Sequence, residues 1–184
     1  MVQPYLEFET PLQEPFPLLA ECSTSLAQAI DTAFEIARTT DPHIMLFPEF
    51  GLPGVEAVSR IAAHMATAVV PSARILIAGV RGLSKTEYLA LCALPYSVNV
   101  EAENAPDHVT DAQWVNTSVT FVKDNAGALS LWIQPKISPS WTEENICHQR
   151  MFTGRAVKVF NARFDNGLPC RFFSLENARN SVES

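Results

Sequence analysis

Clustered basic residues, an export signal and long apolar runs are all missing from this chain. Its thirteen Lys and Arg are scattered and outnumbered by twenty Asp and Glu, for a net charge of -7. Nucleic acid is held through clustered cations, so it is not expected as a direct ligand. No apolar stretch approaches the ~20 residues that cross a bilayer, so no membrane partner is expected either. Met1 to Thr10 has neither a basic flank nor an apolar signal core, which points to a cytoplasmic protein. The four cysteines, Cys22, Cys92, Cys147 and Cys170, are widely spaced and include no C-x-x-C pair. They read as free thiols, and Asn116-Thr117-Ser118 then reads as a chance glycosylation match inside a strand. His43, His64, His108 and His148 lack metal-ligand spacing, and Cys147-His148 has no partners. There is no G-x-S-x-G, no P-loop and no dinucleotide fingerprint.

What is present suffices for one folded domain. Hydrophobic residues make up 47% of 184, enough for a sizeable core. Residues 1–22 form a proline-rich lead-in, with Tyr5-Leu6-Glu7-Phe8 as a candidate edge strand. Ser25-Leu26-Ala27-Gln28 fits a capping box, and Leu26, Ile30, Ala33, Phe34 and Ala37 recur at helical spacing. Pro42 ends that helix near Thr40. Ile44 to Phe47 reads as a strand covered on both faces. Val55, Val58, Ile61, Ala62, Met65 and Val69 mark a second helix, broken at Pro71-Ser72. Arg74 to Val80 is the next buried strand, giving a strand–helix–strand unit and an α/β arrangement. Leu89 to Val100 is a possible strand, and Glu101 to Asp111 reads as a polar loop. Val115, Thr117, Val119 and Phe121 alternate, turn at Asp124–Gly127, and return through Ala128 to Ile133. A second hairpin runs Val157–Phe164, turns at Asp165-Asn166-Gly167, and returns through Cys170–Leu175.

Two segments carry candidate chemistry. In Phe47-Pro48-Glu49-Phe50-Gly51 a carboxylate stands where a buried strand opens into a loop, a place suited to a general base. In Gln134-Pro135-Lys136-Ile137-Ser138-Pro139-Ser140-Trp141-Thr142-Glu143 an ammonium follows a strand end, where it can stabilise an oxyanion. Glu143, seven residues on, can orient Lys136 or a nucleophile. Taken singly, each also reads as an ordinary residue: a loop acid, a solvated lysine, and an acid opening a helix.

In order and spacing, these segments resemble the nitrilase superfamily of carbon–nitrogen hydrolases. The likeness runs from about Ser23 to Leu175. It includes Pro-Lys-x-x-Pro-Ser-x-x-Glu around Lys136, and Phe152-Thr153-Gly154 before the strand Val157-Lys158-Val159-Phe160. The resemblance implies a nitrilase-like αββα sandwich and a Glu–Lys–Cys set acting on a small nitrile or amide, with no metal or organic cofactor. Glu49 matches the general base, Lys136 the oxyanion-stabilising lysine and Glu143 the supporting glutamate. Such domains usually pair through their faces, so a homo-oligomer or a completing partner chain is implied. The surroundings of Trp114, Gln134-Pro135-Lys136 and Gln149-Arg150-Met151-Phe152 are similar to the branch fused to bacterial reverse transcriptases in defence systems.

One departure bears on activity. The family's nucleophile follows an apolar strand in an apolar-Cys-aromatic-acid pattern. Here that strand is Arg171–Leu175, and the position due, near 177, is Asn177. Cys170 is at the other end of the strand, about 17–20 Å from its exit, and Cys147 matches no role. Residues 176–184 turn polar and fit no family pattern. The expectation is a 23–175 nitrilase-like domain incomplete at its C-terminus, with open sheet edges and an uncovered apolar face. A truncation, a frameshifted product, a fragment or a subunit completed by a partner would all give this pattern. Two functions follow: a hydrolase-derived domain inactive in this chain, or a non-catalytic binding or assembly module.

Overall fold

Helical and alternating apolar patterns fold here into a mixed sheet with helices packed on it. The computed structural model describes residues 8–9, 19–20, 24–49, 51–67, 75–124, 126–145, 150–163 and 169–173. Strands β1 (Phe8–Glu9) and β2 (Leu19–Ala20) pair antiparallel within the lead-in. Helix α1 (Thr24–Thr40) buries the predicted stripe Leu26, Ile30, Ala33, Phe34 and Ala37. It stops before Pro42, with Asp41 in the left-handed region at φ 49° and its N–H on Ala37 O. The capping box expected at Ser25 lies outside the described side chains.

Strand β3 (Ile44–Leu46), helix α2 (Val55–Ala66) and strand β4 (Ile75–Leu83) make the expected strand–helix–strand unit, with β3 and β4 parallel. Val69 and Pro71-Ser72 lie outside the described residues. The next stretch corrects the sequence reading. Leu89 to Val100 is not one strand but the end of helix α3 (Lys85–Cys92) followed by strand β5 (Ser97–Val100). Ser84 and Glu87 form a reciprocal capping box that starts α3, and Tyr88 and Leu91 bury its inner side. Two single 3-10 turns, Ala102–Asn104 and Pro106–His108, occupy much of the expected polar loop.

Strands β6 (Val115–Lys123) and β7 (Leu129–Pro135) form the predicted hairpin, and Asp124 Oδ1 accepts from the Ala126 and Ala128 N–H groups in its turn. Short helix α4 (Trp141–Asn145) follows. Strands β8 (Val159–Arg163) and β9 (Pro169–Phe173) pair antiparallel inside the bounds expected of the second hairpin. Its Asp165-Asn166-Gly167 turn lies outside the described residues, as do Asn177 and Cys147.

The described strands give one five-stranded mixed sheet, ordered β3-β4-β6-β7-β5, and two ribbons, β1-β2 and β8-β9. Register places Met45, Leu76, Ala78, Val119, Phe121, Leu131 and Ile133 on one face. They form the core with the apolar sides of α1, α2 and α3. Each Leu, Ile, Val, Met or Phe among them, fully buried, contributes roughly 1.5–3 kcal/mol before entropy is counted. The other face is buried at its centre, at Ser118, Thr120 and Gln134, and open toward β3. Ile44 and Leu46 are 44% and 46% exposed, against the expectation of a strand covered on both faces. β3 stands at one edge of the sheet, where a neighbour on one side only leaves its outer face less covered. At the far side of the same sheet face, Phe160 of β8 meets Trp132 of β7 edge-on at 5.7 Å, and Lys158 Nζ sits 4.2 Å from the Trp132 ring.

No described helix is long and apolar enough to cross a membrane.

Candidate active site

Strand direction brings the candidate residues to one end of the sheet. β3 is parallel to β4, β6 is antiparallel to β4, and β7 is antiparallel to β6. β3 and β7 therefore run the same way, and Glu49 and Lys136 both follow their C-terminal ends. The start of β6, carrying Asn116, lies at that end too. Three strand spacings, about 14 Å, separate β3 from β7. The chain after β3 closes part of this distance. Phe47 N–H bonds Ile77 O, the chain swings out through Pro48 and Glu49, and Leu52 returns to bond Gly79 O. Gly51 closes the turn onto Pro48 O, where an added Cβ would come within 2.8 Å of that oxygen.

Lys136 Nζ donates to Glu49 Oε1 at 2.6 Å and to Glu143 Oε2 at 2.7 Å. Lys136 is 1% exposed and its partner Glu143 likewise, whereas the Glu49 side chain is about one third exposed. The cluster thus has a sealed side and a side open to solvent, and Glu49 stands at the opening. The structure brings together all three residues singled out in the sequence. Two carboxylates and one ammonium leave the cluster with one negative charge in excess.

Burial opposes the charge on Lys136, but its hydrogen bonds to Glu143 and Glu49 outweigh that cost and hold its pKa above the ordinary lysine value. Glu143 shows the same contest with opposite sign. Burial favours its neutral form, yet Lys136 and the Ser140 N–H and hydroxyl hold its pKa below the ordinary value. The ionic state is therefore the stable one at neutral pH.

Two supporting residues were given no role from the sequence. Asn116, fully buried, donates from Nδ2 to Glu143 Oε1 at 2.6 Å, and its carbonyl accepts the Lys136 N–H. A residue in the glycosylation-like triplet is thus a core contact of the cluster. Ser140 N–H donates to Glu143 Oε2 at 2.6 Å, and Ser140 Oγ accepts from the Glu143 N–H. Ser140-x-x-Glu143 is a capping-box pattern, the one signal that could have marked it.

Other candidate groups lie apart. His64 pairs with Asp31 at 2.8 Å between α1 and α2. Cys92, half-buried on α3, has its thiol pushed up to about 11, chiefly by burial. Among the described residues no group of three or more His, Cys, Asp or Glu converges as metal ligands. An open groove of about 420 Å³ runs between α1 and β3, bordered by Ile36, Ile44 and Leu46, and includes none of the cluster residues.

No family model, curated protein or solved structure matches the chain. The geometry must therefore carry the functional reading.

Proposed function

We propose that the Glu49–Lys136–Glu143 cluster is the base-and-ammonium part of a carbon–nitrogen hydrolase site of the nitrilase or amidase kind. The observation that carries it is the buried Lys136 ammonium, clasped between carboxylates from two separate segments, one of them open to solvent. In that chemistry a thiol gives its proton to Glu49 and the thiolate adds to a nitrile or amide carbon. Lys136 stabilises the nitrogen or oxygen anion that forms, and Glu143 holds Lys136 in place. From an amide, ammonia or an amine leaves with the proton returned by Glu49; from a nitrile, one water first adds to the thioimidate before ammonia leaves, and in both cases a further water then releases the acyl group as the acid. These 184 residues carry no cysteine in the apolar-Cys-aromatic-acid pattern, so turnover is not expected of this chain by itself.

A nitrilase-like αββα sandwich is the architecture this reading asks for. The five-stranded sheet with helices on one face supplies a helix-and-sheet pair of layers. The contact of Phe160 with Trp132 on the opposite face fits the beginning of a second sheet layer.

A second reading, a non-catalytic assembly module within a larger complex such as a defence system, is favoured by one observation. The edge strand β3 presents half-exposed Ile44 and Leu46 beside an open apolar groove. A homo-oligomer or a completing partner chain would fit there.

Ligand-observed NMR with small amides and nitriles, paired with an ammonia assay, separates the readings. The hydrolase reading expects saturable binding that Glu49→Gln weakens, with no ammonia released. Ammonia release sensitive to Glu49→Gln would overturn the stated inactivity. Absence of binding, together with copurification of a stoichiometric partner, would favour the assembly module.

A further inference from the structure

The segment from Arg150 to Lys158 crosses the same end of the sheet with almost no regular structure, yet polar bonds fix it throughout. At its start it pairs with the residue before β6: Trp114 N–H bonds Arg150 O, and Phe152 N–H bonds Trp114 O. In its middle Gly154 N–H donates to Lys136 O at 2.8 Å. A Cβ at Gly154 would lie 2.7 Å from Pro135 O, so the approach to the Lys136 backbone is as close as glycine allows. At its end two side-chain amides hold it. Asn104 Oδ1 accepts from Arg155 N–H at 2.8 Å and from Ala156 N–H at 3.3 Å, and Asn104 Nδ2 donates to Ala156 O at 2.9 Å. From β7, Gln134 Oε1 accepts from Lys158 N–H, and Gln134 Nε2 donates to Ala156 O.

Asn104 is built for this task. It is fully buried in a 3-10 turn, and its carbonyl accepts the hydroxyl of the equally buried Tyr88 at 2.8 Å. Its amide meets both backbone groups of Ala156, as a residue of a neighbouring strand would, so a segment outside any sheet still has polar groups satisfied. The Lys136 backbone is in turn held from two sides, by Asn116 O on its N–H and by Gly154 N–H on its carbonyl.

We infer that Asn104 is a positioning residue for Lys136, acting through the 150–158 segment. It touches none of the three charged groups. It fixes the segment that fixes the Lys136 backbone, and so sets where the ammonium meets Glu49 and Glu143. The inference concerns the geometry of the cluster and stands whether or not the cluster ever turned over a nitrile or amide.

The test follows the Lys136 ammonium by side-chain ¹⁵N NMR across alkaline pH in the full chain, with Asn104→Ala and Asn104→Asp. Ile61→Val, in the helix-covered core, serves as the destabilised control. Asn104→Ala is expected to lower the Lys136 titration midpoint by ~0.5 pH unit or more, since a loosened backbone weakens both charge-assisted bonds. Asn104→Asp keeps the acceptor for Arg155 and Ala156 N–H and is expected to restore part of that shift; it also serves if the alanine variant does not fold. Ile61→Val is expected to lose stability without moving the midpoint. A midpoint unchanged in the folded Asn104 variants, or moved equally by Ile61→Val, overturns the inference.

Discussion

Two three-membered polar clusters in this molecule, each centred on an ion pair, are placed in opposite surroundings. Asp31, Arg60 and His64 join α1 to α2, with Arg60 Nε on Asp31 Oδ1 at 2.9 Å and His64 stacked on Phe34 at 4.6 Å. The Asp31 and Arg60 side chains are 40% and 44% exposed. Glu49, Lys136 and Glu143 join the ends of β3 and β7 to α4, with the lysine sealed from solvent. In the first cluster water competes for the Asp31–Arg60 pair, which is worth under ~1 kcal/mol. In the second, a partner removed leaves a charge where water cannot reach it. Burial, more than the count of charges, separates a helix tie from a candidate reactive centre.

Replacing one cation in each cluster gives the largest contrast. Lys136→Met is expected to cost about 3–5 kcal/mol in denaturant unfolding, because Glu143 stays buried without its counter-charge. Arg60→Met is expected to cost under ~1 kcal/mol. Equal losses would break the comparison. Gly154→Ala comes next, at roughly 1–3 kcal/mol, since its Cβ must displace the Pro135 carbonyl beside Lys136.

The pH dependence sharpens the contrast further. Lys136 has a raised pKa, so its contribution is full below the ordinary 10.5 and is lost as pH rises through a higher folded value. Glu143 has a lowered pKa, so its contribution is full above 4.5 and fades as pH falls through a lower folded value. Asp31 is held at about 2 by its hydrogen bonds to Arg60 and His64, and its smaller contribution fades below the ordinary 3.8. Unfolding midpoints of Glu143→Gln and Asp31→Asn across acid pH should show the larger loss for Glu143→Gln. The smallest effect is that of salt. Raising ionic strength from ~0.05 to ~0.5 M should erase the Asp31→Asn difference and leave that of Lys136→Met nearly intact.

The sequence revealed these regions unequally. The helix stripe of α1, the strand–helix–strand unit and the β6-β7 hairpin were legible because local period and turn residues agree with burial there. Glu49, Lys136 and Glu143 were legible through motif order, although their contact depends on strand directions that no local pattern encodes. Asn116 was not, since a polar residue in an alternating strand reads as solvent-facing, and its contacts with Glu143 of α4 and with Met151 come from elements distant in sequence. Helix α3 was missed because Leu89 to Val100 is apolar enough for a strand, while its start signal, Ser84-x-x-Glu87, lies upstream. The exposure of Ile44 and Leu46 follows from β3 standing at the sheet edge, which is a property of the whole strand order.

Titration of the Lys136 ammonium by ¹⁵N NMR, in the unaltered chain and in Glu143→Gln, tests the central claim most directly. The account predicts a midpoint above 10.5 in the unaltered chain and a clear fall in Glu143→Gln. A midpoint at or below 10.5, insensitive to Glu143→Gln, would contradict it.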